Sequence, residues 1–290
     1  MSYPISQSEV SDAFVSACLG ELKALKPGNV HVHAGGHHME VEQFEQAARA
    51  AAPHIAMRGP KVGYRIRGAV EASVAATGCN TNLGIILLCA PLAYAAGEVV
   101  SGASLSARLA KVLATLDFAD AQEAFRAIES ANPAGLGEVP VGDVHETAVV
   151  TLREAMALAA TRDRIALSYV TDFADIFEFT LPLIRKARAL AESPELAVTT
   201  LHMTLLATIP DTHLARKFGP SVAIEVRDIA QRMRQMFEPV VRPKAIADLL
   251  RFDMTLKEKG LNPGTTADFV VATLFAEGLD LAARRDPQRG

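Results

Sequence analysis

The sequence predicts an all-α fold, on three grounds. Ala dominates an apolar half of the chain, with Leu and Val behind it, while aromatic residues make up 6% and Trp is absent; Ala and Leu lose little on entering a helix, whereas strands favour aromatic and β-branched side chains. Apolar residues recur three or four apart through most of the 290 residues, the spacing of a helix face. An alternating strand pattern of useful length is missing, as are repeats and linker composition, so a single helical domain over residues 1–290 is expected.

Ser8 or Ser11 can cap a first helix through Val15, Leu19 and Leu22, which stops at Lys26-Pro27-Gly28. From Lys26 to Met39 the chain carries three Gly, one Pro and four His, and reads as irregular backbone rich in polar groups. Helical spacing returns from about Glu42 to Met57 and from Arg65 to Ala76. The stretch TGCNTNLG at 77–84 then interrupts it before Leu83 to Ala96, a helix apolar on every side and therefore buried. That run is shorter than the roughly 18 residues of a membrane span. Further helices are predicted over Leu105–Leu116, Ala119–Ser130, Asp143–Ala160 and Phe173–Ala191, with one long loop at 131–142. Pro194 begins another helix through Met203 and Leu206, which ends at Pro210 and is followed by the polar turn DTHLARKFG at 211–219. Helices over Ser221–Met236, Pro243–Lys257 and Thr265–Ala283 complete the chain, the last behind an NPG turn at 262–264.

Charge and cysteine content narrow the function classes. With 29 Lys and Arg against 33 Asp and Glu, the net charge is −4, so no positive field exists to hold a nucleic-acid backbone. A charged fraction of 21% with a mean hydropathy of +0.18 excludes a disordered chain. Cys18, Cys79 and Cys89 form an odd set without a C-x-x-C pair, which suits a reducing cytosol. The N-terminus has neither a basic nor an apolar leader region, and a cytoplasmic protein without a membrane partner is expected. An Ala-rich helical surface allows a homodimer.

The polar turns hold the residues with chemistry to offer. Lys26 follows a helix and precedes Pro-Gly, so its ammonium and the N–H groups of Gly28 and Asn29 could converge on a phosphate; an ordinary helix stop with a surface Lys is the plain alternative. Gly78, Asn80, Thr81 and Asn82 precede a helix, where side chains and free N–H groups bind an anion or ribose hydroxyls, or simply cap the helix. Asp211 and Thr212 open a short helix in the same two senses, and Asp268 stands a turn into the final helix near Thr265 and Thr266. Glu71 is a cleft carboxylate or a solvated one, while Asp172 and Asp175 form an acidic pair on a turn or a helix start. His31, His33, His37 and His38 could bring imidazoles together on a transition metal, bind phosphate, or lie scattered on the surface.

KPGNVH with the downstream GGHHM, then ATGCNTNLG, IPDTHLARKFG and KGLNPGTTADFV, occur in the order and at about the spacing of the triphosphoribosyl-dephospho-CoA synthase motifs, and the chain resembles that family over nearly its whole length. Against the family's K-P-G-L-V-D, Lys26, Pro27, Gly28 and Val30 agree while His31 replaces a carboxylate. Against T-G-G-V-N-T-H-K-G, the residues Thr77, Gly78, Asn80, Thr81 and Gly84 agree, but the His-Lys pair has become Asn82 and Leu83 with one residue deleted. Asp211, Thr212 and Leu214 keep the third motif; Pro263, Gly264, Ala267 and Asp268 keep the fourth.

The resemblance implies an all-α transferase that joins the triphosphoribosyl group of ATP to the 2′-hydroxyl of 3′-dephospho-CoA with loss of adenine, using magnesium. Lys26, Gly28 and Asn29, with Gly78, Asn80, Thr81, Asn82, Thr212 and Gly264, are then expected to hold the nucleotide. Asp211 and Asp268 would hold metal or ribose, Glu71 would join Asp211 on the metal, and His31 or His37 would accept the proton. The altered positions leave two alternatives open: another nucleotide-dependent group transfer in cofactor biosynthesis, or a nucleotide-binding protein without turnover.

Overall fold

The computed structural model describes residues 5–32, 41–98, 102–131 and 148–284. Among them the regular structure is helical, with 14 α-helices and no strand. The first six are α1 (Gln7–Lys23), α2 (Val41–Ala56), α3 (Val62–Thr77), α4 (Leu83–Gly97), α5 (Leu105–Ala114) and α6 (Phe118–Ala131). They are followed by α7 (Leu152–Ala159), α8 (Arg164–Val170), α9 (Leu181–Leu190) and α10 (Pro194–Thr208). The remainder are α11 (Thr212–Phe218), α12 (Pro220–Arg232), α13 (Ile246–Glu258) and α14 (Gly264–Arg284). No helix among the described residues is long and apolar enough to cross a membrane.

Helix α4 is the axis of the larger core. Nearly every side chain from Leu83 to Ala96 is buried, as expected of a helix apolar all round. It packs on α14, α5, α3 and α2, while α1 lies across α14 and α2. Phe14 of α1 meets Phe275 of α14 edge-on at 5.7 Å, and the hydroxyl of Tyr169 in α8 donates to the Leu87 carbonyl of α4 at 2.7 Å. A second apolar cluster joins α10, α12 and α13 through Met203, Leu206, Val226 and Leu249.

Local chemistry moved several helix ends. The cap of α1 is Ser6, not Ser8 or Ser11, because Glu9 at the third helical position returns a hydrogen bond to the Ser6 N–H at 2.8 Å. The helix expected from Asp143 begins instead at Leu152, where Thr151 and Glu154 form a second capping box; residues 143–147 lie outside the described residues. Ahead of the expected helix at Phe173, Asp163 caps the short α8 by accepting from Ile165 N and Ala166 N at 2.8 and 3.1 Å. Asp172 and Phe173 then take positive φ values of 51° and 62°, and a π-helical turn, Asp175–Thr180, leads into α9. Asp172 and Asp175 are not paired on one site: Asp172 meets Arg153 at 2.8 Å, and Asp175 takes Arg164 in a fork at 2.6 and 2.8 Å.

Close packing of α3 on α6 depends on Gly63. Its N–H donates to Asp120 Oδ1 at 2.8 Å, and a Cβ there would fall 2.5 Å from the Asp120 Cα and carbonyl oxygen. Backbone cannot rotate away as a side-chain tip can. Gly63→Ala is therefore expected to cost about 1–3 kcal/mol, read as a lower urea midpoint with an unchanged slope.

Candidate active site

A cavity of about 1180 Å³ opens where the four polar turns meet. It exceeds the ~300–1,000 Å³ of a usual small-ligand site, giving room for more than one nucleotide-sized group. One side is polar, with Asn29, Asn80, Thr81, Asn262 and Thr212 among its residues; the other is apolar, formed by Leu83, Ile85, Phe125, Ile128, Leu152 and Met156.

The turn before α4 is built by its own small polar residues. Gly78 ends α3 in the left-handed conformation (φ 73°), which costs glycine nothing. Asn80 then accepts from Leu83 N at 3.2 Å, and Asn82 turns inward to donate to Ser73 Oγ at 3.1 Å. Thr81 Oγ1 is buried without a hydrogen-bond partner among the described residues, so the cavity wall carries a polar atom still to be satisfied.

The first turns of α8, α11 and α14 are stitched together beside it. Asp211, 2% exposed, accepts from Leu214 N at 3.0 Å with one oxygen, and from Thr266 N and Oγ1 at 2.7 and 2.8 Å with the other. Burial raises its pKa while these donors lower it, and burial wins. Thr212 Oγ1 accepts from Arg164 N at 3.2 Å and donates to Thr265 Oγ1 at 3.1 Å, which in turn accepts from His213 N at 3.1 Å. Arg216 reaches from α11 to Asp163 at 3.1 Å. Asn29 Nδ2 donates to Asn262 Oδ1 at 2.8 Å and so joins the first turn to the fourth.

Asp268 is the group most exposed to conflicting demands. Its carboxylate lies so close to α4 that a Cβ on Gly84 would fall 2.1 Å from Oδ2. Burial pushes its pKa well up; Asp211, Glu21 and Asp163 push it further, and Arg216 opposes them. A carboxyl whose surroundings favour its acid form, on the wall of a cavity, can give a proton and take it back.

The first turn is built behind the wall. Lys26 is fully buried, ion-paired to Glu21, and donates to Asn29 Oδ1 at 3.3 Å and Val30 O at 2.5 Å. Three ammonium hydrogens thus meet three acceptors. Burial pulls Lys26 down and Glu21 up, and the attraction between them works against both shifts. Gly28, at φ 83°, donates to Asp253 Oδ1 at 2.8 Å, and Asp253 Oδ2 lies 3.0 Å from Lys257 Nζ and 3.3 Å from His31 Nε2. Burial works to raise Asp253, but His31, Lys257 and the Gly28 N–H outweigh it and hold the carboxyl low. Burial, with Lys26 next to it, also takes His202 down to about 3.

Of the residues expected to bind nucleotide or act on it, Asn29, Gly78, Asn80, Thr81, Asn82, Thr212, Gly264 and Asp268 line one cavity. Others do not. Lys26 and His31 are both 0% exposed and face a buried ionic network, and Gly28 belongs to the same turn. Asp211 spends both oxygens on protein donors. Glu71 is exposed and pairs with Arg67 at 2.7 Å, away from the cavity. His37, with His33 and His38, lies outside the described residues. Glu71 and Asp211 are thus not brought together, and among the described residues no three His, Cys, Asp or Glu side chains could hold a metal ion.

The cavity also contains residues that sequence reasoning did not single out: Glu21, Arg162, Asp163, His213, Arg216 and Asn262. Glu21 carried a signal, since it follows Phe14 and Cys18 on the buried stripe of α1, where a carboxylate needs a partner. Asp163 stands as a cap before a helix, and Arg216 lies within the third motif.

The profile of the family described as CitG, ATP:dephospho-CoA triphosphoribosyl transferase, matches residues 7–286. The chain belongs to the CitG family. A crystal structure from Archaeoglobus fulgidus, of a protein provisionally named triphosphoribosyl-dephospho-CoA synthase, has the same fold: TM-score 0.62, 22% identity, covering 82% of this chain and 98% of that one. No curated protein matches the chain. As a CitG family member the protein is an ATP-using transferase acting on dephospho-CoA. The departures from the usual CitG motifs have clear positions: His31 sits in the buried network with Asp253, and Leu83 lines the cavity at the start of α4.

Two substitutions test the Asp268 geometry. Gly84→Ala, favoured by helix propensity alone by about 1 kcal/mol, should instead displace the Asp268 carboxylate and lower turnover while circular dichroism keeps its helical signal. Asp268→Asn should raise the melting temperature at pH 8 but not at pH 3. The native pKa is raised, so the folded state binds the proton more tightly than the unfolded one between the two pKa values, and stability falls as pH rises through that window. The neutral amide removes the penalty; an unchanged melting temperature at pH 8 would contradict the strained carboxyl.

Proposed function

We propose that the cavity performs the family transfer with Asp268 as its proton carrier. The supporting observation is a carboxyl opposed by three acids and eased by Arg216, packed against the first turn of α4 inside the cavity where the four turns meet. The N-terminal turn of α4, with Arg162 and Arg216, gives the triphosphate N–H groups and cations. Asn29, Asn80 and Asn262, together with the unsatisfied Thr81 hydroxyl, offer hydrogen bonds to ribose. Magnesium belongs to this reading as the ion a triphosphate brings with it, since Mg²⁺ keeps most of its waters and leans on substrate phosphates.

The chemistry then balances with one proton. The bond from ribose C1′ to adenine N9 breaks with its electrons leaving on adenine, which Asp268 protonates. The acceptor 2′-hydroxyl of dephospho-CoA bonds to C1′ and gives its proton to the Asp268 carboxylate, which is restored. On this reading His31, fully buried and turned to Asp253, has no part in the proton transfer.

Incubation with ATP and dephospho-CoA should release adenine in step with product. Asp268→Asn should lower kcat by about 10²–10⁴-fold, and Arg216→Ala should weaken ATP binding by roughly tenfold or more. Release of ADP or pyrophosphate in place of adenine would overturn the reading in favour of another group transfer.

A further inference from the structure

Of the carboxylates that line this cavity, Glu21 and Asp268 differ in their partners. Asp268 has no cation against it closer than the opposing influence of Arg216, whereas Glu21 is ion-paired to a lysine with no solvent exposure. They belong to one electrostatic site, because Glu21 is among the charges acting on Asp268. Burial favours the acid form of both, and Glu21 has the contacting cation that opposes it; where the surroundings of two carboxyl groups at a reacting centre differ in this way, one works as acid and base and the other as a fixed anion. Cleavage of a bond to a ribose C1′ builds positive charge on that carbon and the ring oxygen, and a preplaced anion stabilises it.

We propose that Glu21 is a second catalytic residue, the anion facing the ribose C1′, and that Lys26 is the positioning residue that keeps it charged and in place. This rests on the transfer reading above. Glu21 takes no proton and forms no bond; adenine leaves, the 2′-hydroxyl adds, and the proton passes through Asp268. The K-P-G turn thereby acquires a purpose other than phosphate contact. Pro27 and the left-handed Gly28 fold the chain so that Lys26 points back under α1, and Asp253 fixes the turn by accepting the Gly28 N–H. A Cβ on Gly28 would fall 2.9 Å from the Leu261 carbonyl and 2.8 Å from Pro263, so the turn admits no larger residue.

The groups that set the Glu21 charge come from every element around it. Burial works against its ionisation and Lys26 favours it; Cys18 lies on the same helix, Asp268 faces it from α14, and Asp253, Lys257 and His202 act on Lys26 from α13 and α10. Lys26 is the cation in direct contact, so its removal should push the Glu21 pKa upward.

The test uses the intact protein, adenine release and full pH profiles. Glu21→Gln should lower kcat by about 10²–10³-fold, with the KM for ATP within threefold of the parent. Lys26→Met should move the acid limb of the kcat/KM profile to higher pH and recover activity as pH rises, while the alkaline limb set by Asp268 stays put. The Glu21→Gln, Lys26→Met double variant should be no slower than Glu21→Gln alone. Lys26→Arg, which keeps the charge, should restore the acid limb, and it carries the test if Lys26→Met does not fold. A kcat for Glu21→Gln within threefold of the parent overturns the assignment while leaving the transfer reading intact. A pH-independent loss in a folded Lys26→Met protein shows Lys26 to be merely structural. No adenine from the unsubstituted protein overturns the reading and this assignment together.

Discussion

Asp211 is the constraint on which the site depends. Its two oxygens hold the first turns of α11 and α14 together, Thr212 and Thr265 extend that seam to α8, and the cavity opens on the side the seam leaves free. The N-terminal ends of several helices carry partial positive charge and unsatisfied N–H groups, and would repel one another without an anion between them. Asp211 supplies that anion inside the protein, taking the Leu214 N–H of α11 with one oxygen and the Thr266 N–H of α14 with the other. A carboxylate expected to bind metal thus does the same kind of electrostatic work on helix ends instead.

The same crowding explains why the acids differ. Asp163 has helix N–H groups and Arg216, Asp211 has three protein donors, and Glu21 has Lys26. Asp268 comes last to a site whose donors are already committed, and desolvation pushes its pKa up. Its position is kept by the absence of a side chain at Gly84. The arrangement spends stability on a group that is useful only in its strained state, a common pattern where function and folding compete.

Most of the scaffold was legible because helix spacing and caps are local. The apolar run of α4 announced its burial, and the Thr151–Glu154 box was readable at the start of α7, although periodicity alone drew that helix too long. The short α8 was missed because its cap, Asp163, serves a helix of only seven residues. At the site, the turns were found but the direction of side chains was not. Sequence places Lys26 beside Asn29 without saying which of them faces the cavity; that follows from Glu21, a helical turn and more upstream, and from Asp253 across the fold, 225 residues away. Arg162 and Arg216 escaped for a similar reason, since their common cavity exists only once α8 and α11 are joined by Thr212.

The altered motif positions acquire meaning from this geometry. The buried network already contains Lys26 and Lys257 against Glu21 and Asp253, so the imidazole of His31, lowered by burial, adds no net charge there when neutral. A second carboxylate at that position would stand beside Asp253 with only Lys257 to share, at a desolvation cost that an imidazole avoids. Leu83 has the opposite effect: at the start of α4 it presents an apolar side chain where the usual motif brings a cation, so on the proposed reading the phosphates lean more on the backbone of that turn and on Arg162 and Arg216. Backbone N–H groups hold an anion by direction rather than by net charge. A site of this kind selects the placement of a phosphate more sharply than it attracts phosphate from solution.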